Sequence, residues 1–168
     1  MSTLKVGTIQ DHANSISAIT IDSTGRVSRP VTPYIYMRGN NATEVTAKGT
    51  AEVYTDWAAE GSVLGGMSYN SSNGRFTVPI NGIYQISATF YLWMNTAEAH
   101  VIYFRKNGTT IQEYITDFAA VGGGGRTDHT ITISECLYLS ANEYFDFYCD
   151  ADIYGGNVHS KCQVVMVG

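Results

Sequence analysis

The sequence predicts an all-β protein built as an antiparallel two-sheet sandwich of the jelly-roll type. Apolar and polar residues alternate along many short stretches, which is the period of a half-buried strand, and no stretch has the helical period. About eight such stretches follow one another at roughly ten-residue spacing, with Gly, Asn and Ser between them. Eight antiparallel strands in two sheets are the usual composition of a jelly roll.

The length and composition indicate one domain with a short additional segment. The chain has 168 residues, of which 44% are apolar, and this is enough for one substantial core. Its net charge of -5, with only ten Lys and Arg, argues against the basic surface that phosphate binding needs. No apolar run is long enough to cross a membrane, and the first residues lack the pattern of a secretory signal. We therefore expect no nucleic-acid partner and no membrane insertion.

Three cysteines lie thirteen residues apart, at Cys136, Cys149 and Cys162. Three thiols cannot all pair within one chain, and this spacing matches no metal-ligand pattern. We expect them to be reduced and mostly buried, because unpaired cysteine is among the most buried residue types. A redox pair with a spare thiol is the alternative.

Residues 1–30 are predicted to be an N-terminal leader, and residues 31–168 a head domain. Alternation at Ile19 and Ile21, followed by a turn at Gly25, indicates a strand in the leader. A segment of this length and polarity cannot bury a core alone, so it needs other copies of itself or another protein as a partner. A disordered tail is the alternative. Pro30 and Pro33 mark the boundary, because proline stiffens the chain and removes a backbone donor.

The head begins with a short strand at residues 34–37, apolar on both faces. Residues 39–75 are rich in Gly, Asn, Ser and Thr, and this predicts a long connection with one or two short strands. A β-hairpin is predicted next, with a short strand at 76–78, a Pro-x-Asn-Gly turn at 79–82 and a long strand at 83–93. One face of the long strand is continuously apolar. The other face is polar over most of its length, but its last two residues are Tyr91 and Trp93.

The second half of the head is predicted to contain five further strands. Residues 100–105 and 110–118 form a hairpin around the Asn107 and Gly108 turn, and a loop with four consecutive glycines follows. Residues 130–139 and 144–150 are strands joined by a turn at 140–143, and 150–157 form a polar loop. Residues 158–167 form the closing strand, which ends in an apolar run at 164–167 and is typical of a central strand.

Two stretches resemble known families. The leader strings L-K-V-G-T-I-Q-D and A-I-T-I-D-S-T-G-R-V resemble the segment that precedes head domains in structural proteins of marine bacteriophages of the cyanophage type. The string G-R-F-T-V-P-I-N-G-I-Y-Q-I-S-A-T-F resembles the globular head of complement component one q, within the tumour-necrosis-factor-like jelly rolls. The positions that carry this resemblance are Phe76, Pro79, Gly82, Tyr84 and Ile86. The later strands follow the same order, so the resemblance covers about residues 34–168.

The resemblance departs from the family at two places. Asn142 stands where the family usually has Gly in a turn, and the leader has no Gly-x-y repeat, so the collagen stalk of complement one q is absent. The resemblance therefore implies the fold and a compact homotrimer, but it implies no role in complement.

The residues also predict a trimer by themselves. Residues on the second face of several strands are apolar although the first face already supplies a core, and a single subunit would expose them. The predicted interface set is Tyr91, Trp93, Tyr138, Val165 and Val167. In the alternative, residues 40–72 fold over this face.

The loops are predicted to separate into a tight base and a longer, more polar apex. The turns at 79–82, 107–108 and 140–143 fall at the base, and the loops at 94–99, 118–128 and 150–157 fall at the apex. Candidate contacts for a host-surface ligand, a glycan or a protein, are Trp57, His100, Arg126, Asp150, Asp152 and Tyr154.

These features predict a phage virion protein, assembled in the host cytoplasm, that forms a trimeric tail-fibre, head-fibre or decoration tip. Residues 1–30 attach it to other virion proteins, and the apical loops bind the host. Two alternatives are a purely structural decoration or assembly protein, and a secreted complement-like or cytokine-like binding module.

No cofactor and no catalytic activity are expected. The four histidines lie on separate elements, and no nucleophile, metalloprotease or phosphate-loop motif is present. Calcium is a minor alternative, because oxygen ligands suit this ion and four carboxylates lie near one another in the sequence. They are Glu143, Asp146, Asp150 and Asp152.

Overall fold

The structure is a computed structural model that describes most of the head and three strands of the leader. The described residues are 8–10, 17–21, 23–28, 32–40, 45–46, 52–61, 63–94, 100–116, 127–150, 153–154 and 159–168. Among them no helix occurs that could span a membrane.

Sixteen strands make up the described fold, and every pairing between them is antiparallel. They are β1 (Thr8–Gln10), β2 (Ser17–Ile21), β3 (Val27–Ser28), β4 (Tyr34–Gly39), β5 (Val45–Thr46), β6 (Glu52–Val53), β7 (Trp57–Ala59), β8 (Ser68–Asn70), β9 (Arg75–Thr77), β10 (Gly82–Met94), β11 (His100–Lys106), β12 (Thr109–Thr116), β13 (Thr127–Leu139), β14 (Tyr144–Cys149), β15 (Ile153–Tyr154) and β16 (Lys161–Met166).

The head is a sandwich of two sheets, as the alternation predicts. The first, called here the β10 sheet, has the order β5-β15-β10-β16-β4-β7, with β13 also paired to β10. The second, the β14 sheet, has the order β12-β11-β14-β9-β8, with β6 also paired to β14. The predicted fold class, an all-β antiparallel jelly roll, is confirmed. The closing strand β16 lies between β10 and β4, so its predicted central position is also confirmed.

The predicted hairpin of the short and long strands around residues 79–82 is wrong. β9 pairs with β8 and β14, whereas β10 pairs with β13, β15 and β16, so the two strands belong to different sheets. The Phe76 ring stacks on Phe145 of β14 at 4.9 Å, and the Val78 amide donates to the Glu143 carbonyl at 3.0 Å. These contacts hold β9 in the β14 sheet, and residues 79–82 carry the chain across to the other one.

Two base turns need residues that accept positive φ. Asn107 (φ 50) and Gly108 (φ 80) form the tight turn of the predicted hairpin of β11 and β12, which is confirmed. Asn142 has φ 69, a left-handed conformation that Gly adopts freely and that Asn tolerates better than most residues. This explains how Asn142 occupies a position where the resembled family has Gly.

The core between the two sheets is aromatic. Phe147 of β14 lies near its centre, with ring centroids 5.1 Å from Phe90, 5.6 Å from Phe104 and 5.9 Å from Phe145. All four rings are fully buried. Aromatic pairs at such distances stabilise a core by more than the burial of their apolar area alone contributes.

Residues 39–75 contain more strand than predicted. β5, β6, β7 and β8 all form within this connection, and β7 extends the β10 sheet by pairing with β4. In their described part, these residues extend the edges of both sheets. Ser87 and Gln163, on the outward face of the β10 sheet, stay exposed, so the described residues of this connection do not cover that face.

The leader forms a small sheet of its own. β1 pairs with β2, and β2 pairs with β3 around the turn that contains Gly25 (φ +82). The predicted strand at Ile19 and Ile21 is confirmed as β2.

Candidate functional site

The outward face of the β10 sheet is the first candidate surface. Along β10 the side chains alternate, so that Tyr84 and Ile86 are fully buried in the core whereas Ile83 and Ser87 are exposed on the other side. β13 and β16 alternate in the same way, and their outward residues line up with those of β10.

The middle of this outward face is polar. Gln85 lies opposite Cys136 on β13 and Val165 on β16, and Ser87 lies opposite Ser134 and Gln163. The Gln85 amide nitrogen donates to the Ser134 hydroxyl at 3.2 Å. Hydroxyl and amide groups in register can bond one another or matching groups on a second copy.

One end of the face is apolar. Ile83 lies opposite Tyr138, and the Val167 amide donates to the Ile83 carbonyl at 2.8 Å. These three side chains are 43%, 56% and 58% exposed, in that order. Val165 lies opposite Tyr34 next to them. We call Ile83, Tyr138, Val165 and Val167 the base patch, since the C-terminus and the tight turns lie at this end.

The predicted interface residues therefore divide between two ends of one face. Tyr138, Val165 and Val167 belong to the base patch, whereas Tyr91 lies opposite Thr130 near the far end of β10. The Tyr91 ring lies 4.9 Å from the His159 ring. Trp93 is opposite Asp128 in the backbone register, and its side chain lies outside the described residues.

The structure brings the three predicted base turns together. The Ala141 amide donates to the Asn81 side-chain oxygen at 2.7 Å, and the Asn107 side-chain amide donates to Glu143 at 2.9 Å. Lys106 Nζ lies 2.8 Å from a Glu143 carboxylate oxygen. The hydrogen bond from Lys106 lowers the pKa of the Glu143 carboxyl, and bonds from the Ser140 amide and Asn107 lower it further.

The prediction that Trp57 contacts a ligand is wrong. Its side chain is only 3% exposed and packs edge-on against Tyr54 at 4.8 Å and Phe90 at 5.4 Å. The composition of residues 39–75 predicts a long connection here, but the segment forms β7, and the indole lies in the core.

Two other predicted ligand residues lie side by side. Asp150 Oδ1 accepts a hydrogen bond from the Val101 amide at 2.7 Å, and His100 Nδ1 lies 3.6 Å from the same oxygen. They lie where β11 begins and where β14 ends, next to the predicted apical loops. Arg126 and Asp152 lie outside the described residues, and of Tyr154 the structure describes only the backbone of β15.

The carboxylates considered for calcium do not converge in the described part of the chain. Asp146 is paired with Arg105 at 2.6 Å, Glu143 with Lys106, and Asp150 with the Val101 amide. No group of three or more His, Cys, Asp or Glu suited to a metal ion occurs among the residues that the structure describes.

All three cysteines are free thiols. Cys149 and Cys162 are buried, as predicted, and burial raises the pKa of the Cys162 thiol. Cys136 is exposed on the outward face of the β10 sheet, so for this residue the prediction of burial is wrong.

The outward face of the β14 sheet is a second candidate surface, which the sequence analysis missed. It carries two arginine–tyrosine stacks, with the Arg75 guanidinium 4.1 Å from the Tyr144 ring centre and the Arg105 guanidinium 4.4 Å from that of Tyr148. Asp146 lies between these stacks. The available signal was the Y-x-D-x-Y alternation at 144–148, opposite in phase to the buried phenylalanines.

Comparisons with known proteins identify the fold. No family model matches the chain, and no curated protein matches it in sequence. Among solved structures it is similar to that described as "Structure of Eiger TNF from S. frugiperda", with a TM-score of 0.62 and 9% identity. The match covers 82% of this chain and 93% of that one. The head is therefore a tumour-necrosis-factor-like jelly roll.

Proposed function

We propose that this chain is a trimeric binding head carried on a bacteriophage particle. Residues 1–30 attach the trimer to other virion proteins, and the head binds a ligand on the host surface. The likeness to complement component one q is part of this proposal, as is the virion location. No catalytic role is proposed.

The base patch is the main observation that supports the proposed trimer. Ile83, Tyr138 and Val167 form a contiguous apolar area whose side chains are each more than 40% exposed. The described connection at 39–75 leaves the adjacent face uncovered. Contiguous apolar surface of this kind marks an interface, and a closed symmetric assembly of three copies buries it without leaving a free edge.

The leader supports the attachment role. Its three strands pair with one another, which makes it a separate small sheet. Ile21 is 39% exposed and Val27 is 66% exposed, so the sheet presents apolar side chains outward. Together with the strings that resemble phage structural proteins, this favours docking to another virion component.

Trimerisation also suits weak recognition of a repeated surface ligand. Three equivalent sites on one rigid body raise the effective affinity well above that of a single site. Long loops at one end of a sandwich are where such sites usually lie. Host binding therefore needs no deep pocket in any one subunit.

Binding to host cells tests the proposal. The fluorescently labelled full chain is expected to bind at least one strain in a panel of cultured marine cyanobacteria. Replacing residues 95–99 and 118–126 by Gly-Ser linkers of equal length should reduce binding at least tenfold, because avidity multiplies each lost contact.

Deletion of residues 1–30 is the matched control, because it should abolish incorporation into particles while leaving cell binding intact. Equal binding by the loop variant would contradict the apical site. If the intact chain binds no strain but is still incorporated into particles, the binding head is contradicted, and the structural decoration protein is the better proposal.

A further inference from the structure

Asp146 occupies an unusual position on the outward face of the β14 sheet. It alternates with Phe145 and Phe147, which point into the core, so it lies on the opposite face of the strand. Its side chain is nevertheless only 1% exposed. A carboxylate on a sheet's outer face that is this deeply covered must lie beneath its neighbours.

Those neighbours are two arginines on the adjacent strands. The register pairs Asp146 with Arg105 on β11. On the other side β14 pairs with β9 through Tyr144 with Thr77 and Phe145 with Phe76, and the next step of this register is Arg75. Arg75 and Arg105 thus flank Asp146 from both sides.

Each guanidinium stacks on a tyrosine ring, and the Arg105 guanidinium also contacts Asp146. Arg75 stacks on Tyr144, two residues before Asp146, and Arg105 stacks on Tyr148, two residues after it. The Tyr103 ring lies 6.0 Å from the Tyr148 ring and lengthens the row. The surface is therefore a line of aromatic and guanidinium groups with one buried acid between them.

One oxygen of that acid has no partner. Asp146 Oδ1 accepts a hydrogen bond from Arg105 Nε at 2.6 Å, whereas Oδ2 is buried and has no donor among the described residues. An unsatisfied buried acceptor is costly, and each case calls for an explanation. A ligand donor would satisfy it after a covering side chain moves aside, because Oδ2 is closed off from solvent in this structure.

The charges around Oδ2 select the kind of donor. A cation is disfavoured, because the two guanidiniums already flank the site. An anion is disfavoured by Asp146 itself and by Glu113, which lies opposite Tyr103. A neutral hydroxyl avoids both repulsions, and tyrosine side chains offer apolar ring surface with a polar tip beside it.

From this geometry we propose that the Tyr103, Tyr148, Asp146 and Arg75 row binds a neutral saccharide. A sugar hydroxyl donates to Asp146 Oδ2, the guanidiniums donate to neighbouring oxygens, and the tyrosines contact the carbon faces of the ring. This site rests on the proposed function as a binding head and is separate from the apical loops. It lies on the sheet opposite to the base patch, so it stays open in the proposed trimer.

The probes are immobilised neutral oligomers of glucose, galactose and mannose, with sialylated oligosaccharides as the anionic comparison. The full chain is expected to bind at least one neutral oligomer more tightly than any sialylated one. Asp146→Asn keeps the shape of the side chain but places an amide donor where a hydroxyl should donate, and Tyr103→Ala removes a ring. Each should weaken binding by about tenfold, the usual effect of removing a central contact.

Two controls accompany these variants. Arg75→Lys keeps the charge but loses the planar stack, and it should weaken binding by a smaller factor than Arg75→Met. Ile115→Ala changes a residue on the same face that is 62% exposed and outside the row, and it should bind like the unmodified chain. Thermal unfolding of Tyr103→Ala and Ile115→Ala checks that both variants are folded.

The possible outcomes separate this site from the apical one. Loss of saccharide binding in Asp146→Asn and Tyr103→Ala, with the apical loop variant unaffected, supports it. Unchanged binding in both row variants overturns it and leaves the proposed function standing, as does tighter binding of the sialylated oligomers. If the intact chain binds no neutral oligomer, the row is not a saccharide site, and binding to host cells still decides the proposed function.

Discussion

Replacing Phe147 with alanine is expected to lower the free energy of unfolding by about 3–5 kcal/mol, the usual cost of truncating a buried aromatic ring. Phe147 is fully buried, and its ring centroid lies 5.1 Å from that of Phe90 in the β10 sheet and 5.6 Å from that of Phe104 in the β14 sheet. A cavity at this place removes contacts on all sides at once, and surrounding rings cannot collapse into it without losing their own geometry.

Urea unfolding followed by tyrosine and tryptophan fluorescence measures this loss. Ile115→Ala serves as the control because Ile115 is exposed, and it should change the free energy of unfolding by less than about 1 kcal/mol. A loss below about 1 kcal/mol for Phe147→Ala would mean that the aromatic cluster is not the core of the sandwich.

Gly74→Ala is expected to cost about 2–5 kcal/mol, which combines a left-handed backbone with overpacking. Gly74 has φ +69, and a Cβ there would lie 2.5 Å from Val53 Cγ1 and 2.6 Å from the Tyr54 carbonyl oxygen. Tyr54 cannot easily retreat, because its amide donates to the Phe147 carbonyl at 2.8 Å. The turn between β8 and β9 would have to open.

Gly61→Ala is a matched control for the backbone contribution. Gly61 has φ +85 but no heavy atom within 4 Å of an added Cβ, so only the left-handed conformation should cost energy, about 1–2 kcal/mol. The difference between the two alanine variants in urea unfolding isolates the clash. Equal losses would show that β6 does not approach the β8 and β9 turn closely.

Local patterns predicted most of the fold. Alternation identified β10 and β13 and the faces that their residues occupy, and an apolar run identified β16. Asn107 with Gly108 predicted the hairpin of β11 and β12. These features succeed because strand periodicity and turn chemistry depend on neighbouring residues alone.

Pairing over long sequence distances was beyond such patterns. The turn at residues 79–82 was predicted, but the sheet to which β9 belongs depends on the stacking of Phe76 on Phe145. The composition of residues 39–75 predicts a connection around Trp57, although the Trp57 indole completes the core. A turn signal shows that the chain bends, and the tertiary contacts decide where it goes.

The sequence also predicts the candidate surfaces only in part. The outward face of the β10 sheet follows from alternation, but the base patch emerges only when the register brings Ile83 beside Tyr138. The row on the β14 sheet was missed, although the alternation at residues 144–148 places two tyrosines and Asp146 on one face. The pairing of Asp146 with Arg105 joins residues that are far apart in sequence. No pattern of neighbouring residues predicts that these two side chains pair.

The mass of the protein in dilute solution tests the central claim most directly, that the outward face of the β10 sheet closes against other copies. Light scattering of the full chain should give about three times the 18.3 kDa of one chain. The double variant Ile83→Arg and Tyr138→Glu, which places charges in the base patch, should give the mass of one folded chain. A stable mass of 18.3 kDa for the unmodified protein would contradict the proposed trimer and the avidity on which the proposed host binding depends.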